Sequence, residues 1–242
     1  MIRKLDWESN FFNMECGQFN PLNRSEGKYS EKLFNQFDWV QGKCLISDEL
    51  SKSIFGEFKF VFEDTRVIFE KIIEKKDICF SLPNLQICNS KPEEIPELQS
   101  IAIEELVKHS RLPILVGKKA TGNFYARWVE KAVFQVFDDI CFTLCEKNRP
   151  IGFITLKYIN ANEAKIGLIA IKKDFQGKRF GNALIQFSEN FLYDNKFKKL
   201  SVITEGRNIN AQQFYIKYGF NIKDIECWYY RRNRQVEKKR NI

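Results

Sequence analysis

Between residues 140 and 171 three apolar runs, 140–145, 151–158 and 164–171, are separated only by Lys147-Asn148-Arg149-Pro150 and Asn160-Ala161-Asn162. Connections this short leave no room for a crossover helix, so the runs are expected to pair as an antiparallel meander. The pattern then changes. A glycine-containing loop, Phe175-Gln176-Gly177-Lys178-Arg179-Phe180-Gly181, leads into a segment with Leu184, Phe187 and Phe191 at helical spacing. Residues 199–204 read as a strand, 209–218 as a helix stopped by Gly219, and 225–230 as a last strand. This order calls for an α/β (α+β) fold, a mixed and mostly antiparallel sheet flanked by helices.

Upstream, residues 85–89 read as a strand, 92–108 as a helix, and 125–137 as a helix with Trp128, Val129, Ala132 and Val133 on its apolar side. The first eighty residues form shorter elements. Strands are expected at 16–19, 39–46, 57–62 and 65–72, a helix at 30–37, and a short helix opened by Ser47 or Asp48. Proline and polar residues at Ser81-Leu82-Pro83-Asn84 break the pattern, which sets the expected division: a small N-terminal α/β domain at 1–83 and a second domain at 84–242.

Charge and cysteine usage exclude several classes of function. The chain of 242 residues has a formal net charge of +8. Most of that sits in the C-terminal tail, where Arg231, Arg232, Arg234, Lys238, Lys239 and Arg240 face one acid, Glu237. The body is too mildly basic for a nucleic-acid face, although a local cluster for a phosphorylated small substrate is compatible with it. No apolar run approaches the ~18 residues of a spanning helix, and the first residues lack the apolar stretch of a signal peptide, so a soluble, cytoplasmic protein without membrane insertion is expected. The seven cysteines show no C-x-x-C pair and read as reduced thiols used as small core residues. With His109 the sole imidazole, no metal site is expected.

The loop before the 180s helix is where chemistry is expected. Free N–H groups at a helix N-terminus and the helix dipole favour an anion there. Gly177 and Gly181 let the main chain approach phosphate oxygens, and Gln176, Lys178 and Arg179 add donors. A tight strand-to-helix connection explains the two glycines equally well.

Gln176-x-x-Arg179-x-Gly181 resembles the Q/R-x-x-G-x-G/A pyrophosphate loop of the GNAT acyltransferase superfamily, and the order of elements around it matches. Downstream, Asn208-Ile209-Asn210-Ala211-Gln212-Gln213-Phe214-Tyr215-Ile216-Lys217-Tyr218-Gly219-Phe220 resembles the N-x-x-A-x-x-x-Y-x-x-x-G-F signature of its C-terminal helix. Arg179 departs from the pattern by standing at the central glycine, where neighbouring amides and the guanidinium are left to serve the anion. A narrower resemblance, to dTDP-fucosamine acetyltransferase-like nucleotide-sugar N-acyltransferases, rests on further segments. They are Leu5-Asp6-Trp7-Glu8-Ser9-Asn10-Phe11-Phe12, Asp38-Trp39-Val40-Gln41-Gly42-Lys43, a strand at Gly56-Glu57-Phe58-Lys59-Phe60, His109-Ser110-Arg111, and Phe124-Tyr125-Ala126-Arg127-Trp128-Val129.

The resemblance implies a GNAT fold, acetyl-CoA or another short acyl-CoA as co-substrate, and an amine acceptor. It places Leu168, Ile169, Ala170 and Ile171 beside the pantetheine arm, and Gln176, Gly177, Lys178, Arg179, Phe180, Gly181 and Asn182 around the pyrophosphate. Asn208 either binds CoA or serves as a plain helix N-cap. Tyr215 would protonate the departing thiolate, a role open to a phenol with a reference pKa of ~10, or it packs on the sheet with its hydroxyl satisfied elsewhere. His109 is a base or a structural histidine, and Arg111 a donor to substrate phosphate or half of an ion pair. Trp7, Phe11 and Phe12 stack on a nucleotide base or belong to the core. The activity so implied is transfer of a short acyl group to the amine of a dTDP-linked amino-deoxysugar, as in surface polysaccharide biosynthesis, with the N-terminal domain contributing to the sugar nucleotide. A homodimer is compatible with it. Acylation of a protein amine and a non-catalytic CoA-binding module are the alternatives.

Overall fold

The computed structural model describes residues 2–22, 31–75 and 85–233. The expected domain boundary at Ser81 to Asn84, Cys79, and the tail beyond Asn233 lie outside the described residues. The elements run β1 (Ile2–Lys4), α1 (Asp6–Phe12), β2 (Cys16–Phe19), α2 (Glu31–Phe34), β3 (Trp39–Leu45), α3 (Glu49–Glu57), β4 (Val61–Ile72), β5 (Leu85–Asn89), α4 (Ile95–Leu106), α5 (Pro113–Val133), β6 (Ile140–Glu146), β7 (Arg149–Asn160), β8 (Glu163–Ile171), α6 (Phe180–Asp194), β9 (Lys199–Glu205), α7 (Ile209–Tyr218) and β10 (Asn221–Arg232).

The chain forms two compact units. The first takes residues 1–67, 205–207 and 224–242, and the second takes 68–204 and 208–223. In the first, β3 pairs antiparallel with β10, Trp39 opposite Arg232 and Leu45 opposite Glu226, and parallel with β2. This pairing carries the C-terminal strand into the unit that holds the N-terminus. Its core is a phenylalanine cluster, Phe19, Phe34, Phe55 and Phe60 with Val40 and Ile54. Each such ring contributes on the order of 1.5–3 kcal/mol when buried. The helix α3 begins at Asp48, whose carboxylate accepts the Ser51 N–H (3.0 Å) and Ser51 Oγ–H (2.6 Å).

Residues 57–62 and 65–72 do not form the two strands expected of them. The helix α3 continues to Glu57, Lys59 turns the chain with φ 58°, and one strand then runs from Val61 to Ile72. Glu63-Asp64 resembles a turn in sequence, but Asp64 is buried and takes the Arg207 Nε–H at 2.6 Å. A paired carboxylate is accommodated inside a strand, so the strand is not interrupted.

In the second unit the strand order is β4-β9-β8-β7-β6-β5. The meander is present: β5, β6, β7 and β8 pair antiparallel in sequence, and β9 returns parallel to β8. One face packs on α4 and α5 through Leu98, Ile101, Ala102, Val129, Ala132, Cys141, Phe153, Leu168 and Ala170. On the other, Phe142 meets Phe187 and Phe191 of α6 edge to face, at 5.0 and 5.1 Å. Cys16, Cys44, Cys141, Cys145 and Cys227 are buried free thiols, whereas Cys88 is exposed on the strand β5. Burial pushes the thiols of Cys16 and Cys141 up to about 12, which keeps them protonated.

Candidate active site

The meander and the returning strand part company at one point. β8 and β9 pair only from Glu163 opposite Lys199 to Ile166 opposite Val202, although both strands continue. The separation coincides with a bulge. Against β7, Ile154 faces Ile169 and Leu156 faces Ile166, so Gly167 and Leu168 together oppose Thr155. The Leu168 N–H is held by Thr155 Oγ1 at 2.8 Å on the β7 side. Because successive residues of a strand point their main-chain groups to opposite edges, Ile169 and Ile171 then present theirs to the open side of the fork. This edge suits an extended chain laid beside it. The Ile171 carbonyl already accepts from Gln176 Nε2 at 2.8 Å, which leaves Ile169 as the main polar edge residue.

Beyond the fork the loop turns into α6. Gly177 has φ +77° with open space around it, and Arg179, the residue before the helix, has φ 63° and ψ 15°. No side chain caps α6, and its first turn has no acid. The amides of that turn are thus free of a side-chain cap, an arrangement that favours an anion, with Lys178 and Arg179 exposed beside them. The side chains of the loop divide. Lys178 lies over the Phe175 ring at 4.9 Å, while Phe180 is buried and stacks on Phe175. Gln176 is turned away from the helix end: its Nε2 also donates to Glu105 Oε2 at 2.7 Å.

Tyr215 on α7 is 4 % exposed, ringed by Phe69, Phe214 and Phe220. Its hydroxyl has no hydrogen-bond partner among the described residues, and burial pushes its pKa well above the ordinary phenol value. The phenol therefore stays protonated at neutral pH. Tyr218, one turn on, is used differently, for its hydroxyl donates to the buried Glu189 at 2.8 Å, and Glu189 also pairs with Lys71. Asn208 accepts the Ala211 N–H through Oδ1 at 3.2 Å and is the N-cap of α7.

The end of α4 gathers a second group. Glu105, buried, pairs with Lys108 and receives Gln176, which ties the loop to this helix. His109, half-buried in the following turn, has its imidazole pKa lowered, by burial first and by the neighbouring Lys108 second. The shift favours the neutral imidazole. Arg111 follows, half-buried, after Ser110, whose Oγ accepts the Leu112 N–H. In the first unit Trp7 and Phe11 stack on each other at 5.2 Å within α1, with Phe12 edge-on to Phe11.

Residues 114–220 match the Acetyltransferase (GNAT) family. The chain is 32% identical over 139 residues to the dTDP-fucosamine acetyltransferase of Escherichia coli, a match that takes in 57% of this chain and 59% of that protein. The chain thus spans about three fifths of the length of that curated relative. Among solved structures it resembles a GCN5-related N-acetyltransferase from Sphaerobacter thermophilus (TM-score 0.60, 11% identity, 81% of this chain and 60% of that one). It also resembles the PaiA N-acetyltransferase of Thermoplasma acidophilum solved with coenzyme A (TM-score 0.50, 16% identity, 61% of this chain and 98% of that one).

Two features of residues 114–220 qualify the motif. Arg179, at the position of the central glycine, adopts the left-handed backbone that a glycine takes there without cost. Gly181 is small because of a neighbour, since a Cβ on it would stand 3.1 Å from Phe214 Cζ. Sequence reasoning missed Glu105 and Thr155. Glu105 was open to discovery as the one acid on the buried face Leu98, Ile101, Ala102 of α4. Thr155 gave no local signal.

Proposed function

We propose that the protein moves an acetyl or other short acyl group from acyl-CoA to the amine of a dTDP-linked amino-deoxysugar, with Tyr215 as general acid. The observation that carries the reading is the coincidence, in one unit, of an open strand edge at Ile169, an uncapped helix start flanked by Lys178 and Arg179, and a buried tyrosine whose hydroxyl has no partner among the described residues. A thioester with a pantetheine arm and a pyrophosphate fits that set. The strand edge receives the arm, and the amides of Gly181 and Asn182 receive phosphate oxygens. The phenol supplies the proton for the sulfur leaving the acyl carbon.

The choice of acceptor rests on the relative named as a dTDP-fucosamine acetyltransferase. The neutral imidazole of His109 and the Arg111 guanidinium lie near the end of α4 and are assigned to the acceptor. The aromatic helix α1 is assigned to the base of the nucleotide, with residues 1–83 as the segment that serves the sugar nucleotide and 84–242 as the acyl-CoA segment. Mass-spectrometric product detection with a panel of acyl-CoAs and dTDP-linked amino sugars tests the reading. An acylated sugar nucleotide supports it. Acylation of protein amines alone would replace it, and CoA binding without turnover of any amine would reduce the chain to a binding module.

A further inference from the structure

Asp138 precedes β6 on the face of the sheet covered by α5, and it is 3 % exposed. A carboxylate so far removed from water requires a cation or several donors to offset the lost hydration. Asp138 has one donor, the indole N–H of Trp128, at 2.9 Å from Oδ2. Among the described residues no second hydrogen bond reaches it and no cation lies within ion-pair distance. Its place is equally specific. The carboxylate stands over Gly167, the first residue of the bulge, where a Cβ would collide with Asp138 Oδ2 and come within 2.7 Å of Thr155 Oγ1. Gly167 is the residue at which β8 leaves β9. An under-neutralised acid is thus held against the backbone of the fork that the proposed thioester occupies.

We propose that Asp138 receives the ammonium group of the acceptor and takes its proton. This rests on the amine-acceptor part of the reading above and adds the base that the mechanism otherwise lacks. The N–H bond of the ammonium breaks, with the proton passing to Asp138 Oδ1. The freed nitrogen lone pair forms a bond to the thioester carbonyl carbon, and the carbon–sulfur bond breaks with its electron pair on sulfur. Tyr215 gives its proton to that sulfur and regains one from the nitrogen, so an amide, a thiol and one proton on Asp138 result. The proton on Asp138 returns to solvent when the products leave. Trp128 holds Oδ2, the oxygen that stands over Gly167, and Oδ1 is left without a hydrogen bond among the described residues.

Asp138→Asn tests this, because the amide keeps an oxygen for Trp128 while losing the charge and the basicity. Acetyl transfer to dTDP-fucosamine is compared with transfer to hydroxylamine, whose nitrogen is neutral near pH 7 and needs no base. The kcat/KM for the amino sugar is expected to fall about 10²-fold or more. Transfer to hydroxylamine and the acetyl-CoA Kd are expected to stay within about threefold of wild type. A parallel loss for both nucleophiles, or a loss for neither, overturns the proposal. Should the variant fail to fold, the wild-type protein decides: dTDP-fucose, with a hydroxyl in place of the amine, should bind at least about tenfold more weakly than dTDP-fucosamine, and equal affinity overturns the proposal. If wild type acetylates spermidine or glucosamine but no sugar nucleotide, the nucleotide-sugar reading fails and the same comparison is made on that amine. If it acetylates no amine, both fall.

Discussion

Phe214 on α7 stands 3.1 Å from the point where a Cβ on Gly181 would lie, so the first turn of α6 meets α7 across a residue without a side chain. The motif glycine therefore meets a packing demand, in addition to the proposed approach to phosphate. Gly181→Val is expected to lower stability by about 1–3 kcal/mol through overpacking, together with acyl-CoA affinity. Thermal unfolding and calorimetry check this. Normal values of both would show that α6 and α7 yield freely.

Tyr215→Phe removes a hydroxyl that has no partner among the described residues. Stability should stay within about 1 kcal/mol of wild type, since no protein hydrogen bond is lost. Turnover should fall about 10²-fold with acyl-CoA affinity unchanged. Unaltered kcat would return Tyr215 to the core.

Arg179→Gly should move two measurements in opposite directions. Glycine relieves the left-handed backbone, with a net stabilisation of about 0.5–1 kcal/mol after its own unfolded-state entropy is counted. Loss of the guanidinium beside the helix start should weaken acyl-CoA binding. A gain in affinity would mean that the arginine plays no part in anion binding.

His109, the one imidazole in the chain, allows a clean titration. Its folded pKa is lowered from 6.5, so the unfolded state binds its proton more readily. The contribution is in place above pH 6.5 and is lost as pH falls through 6.5 toward the folded value. The imidazole resonances should titrate with a midpoint below 6.5, and His109→Gln should flatten the stability profile over that window. A midpoint above 6.5 would place an acid beside the ring.

Replacing Phe11 and Phe12 by Leu tests the assignment of α1. The apparent KM for the sugar nucleotide should rise more than that for acyl-CoA. The reverse, in a folded variant, would return these rings to packing alone.

Local patterns were enough to read the second unit. Short turns at 147–150 and 160–162 leave adjacent strands no arrangement but antiparallel pairing, and helical spacing at Leu184, Phe187 and Phe191 fixes the buried side of α6. The motif around Asn208 and Tyr215 likewise located a cap and a buried phenol, because both depend on near neighbours in the chain. What the sequence left open depends on distant partners. The extended conformation at Asp64 follows from Arg207, the pairing of β10 with β3 brings the C-terminal strand to the N-terminal unit, and the Gln176 amide is held by Glu105. Asp138 is the sharpest case: an acid before a strand reads as solvated, and only the arrangement of Trp128, Thr155 and Gly167 around it encloses its charge. Periodicity encodes which side of an element is buried, but the energy of a buried charge is set by groups that only the tertiary structure brings within reach.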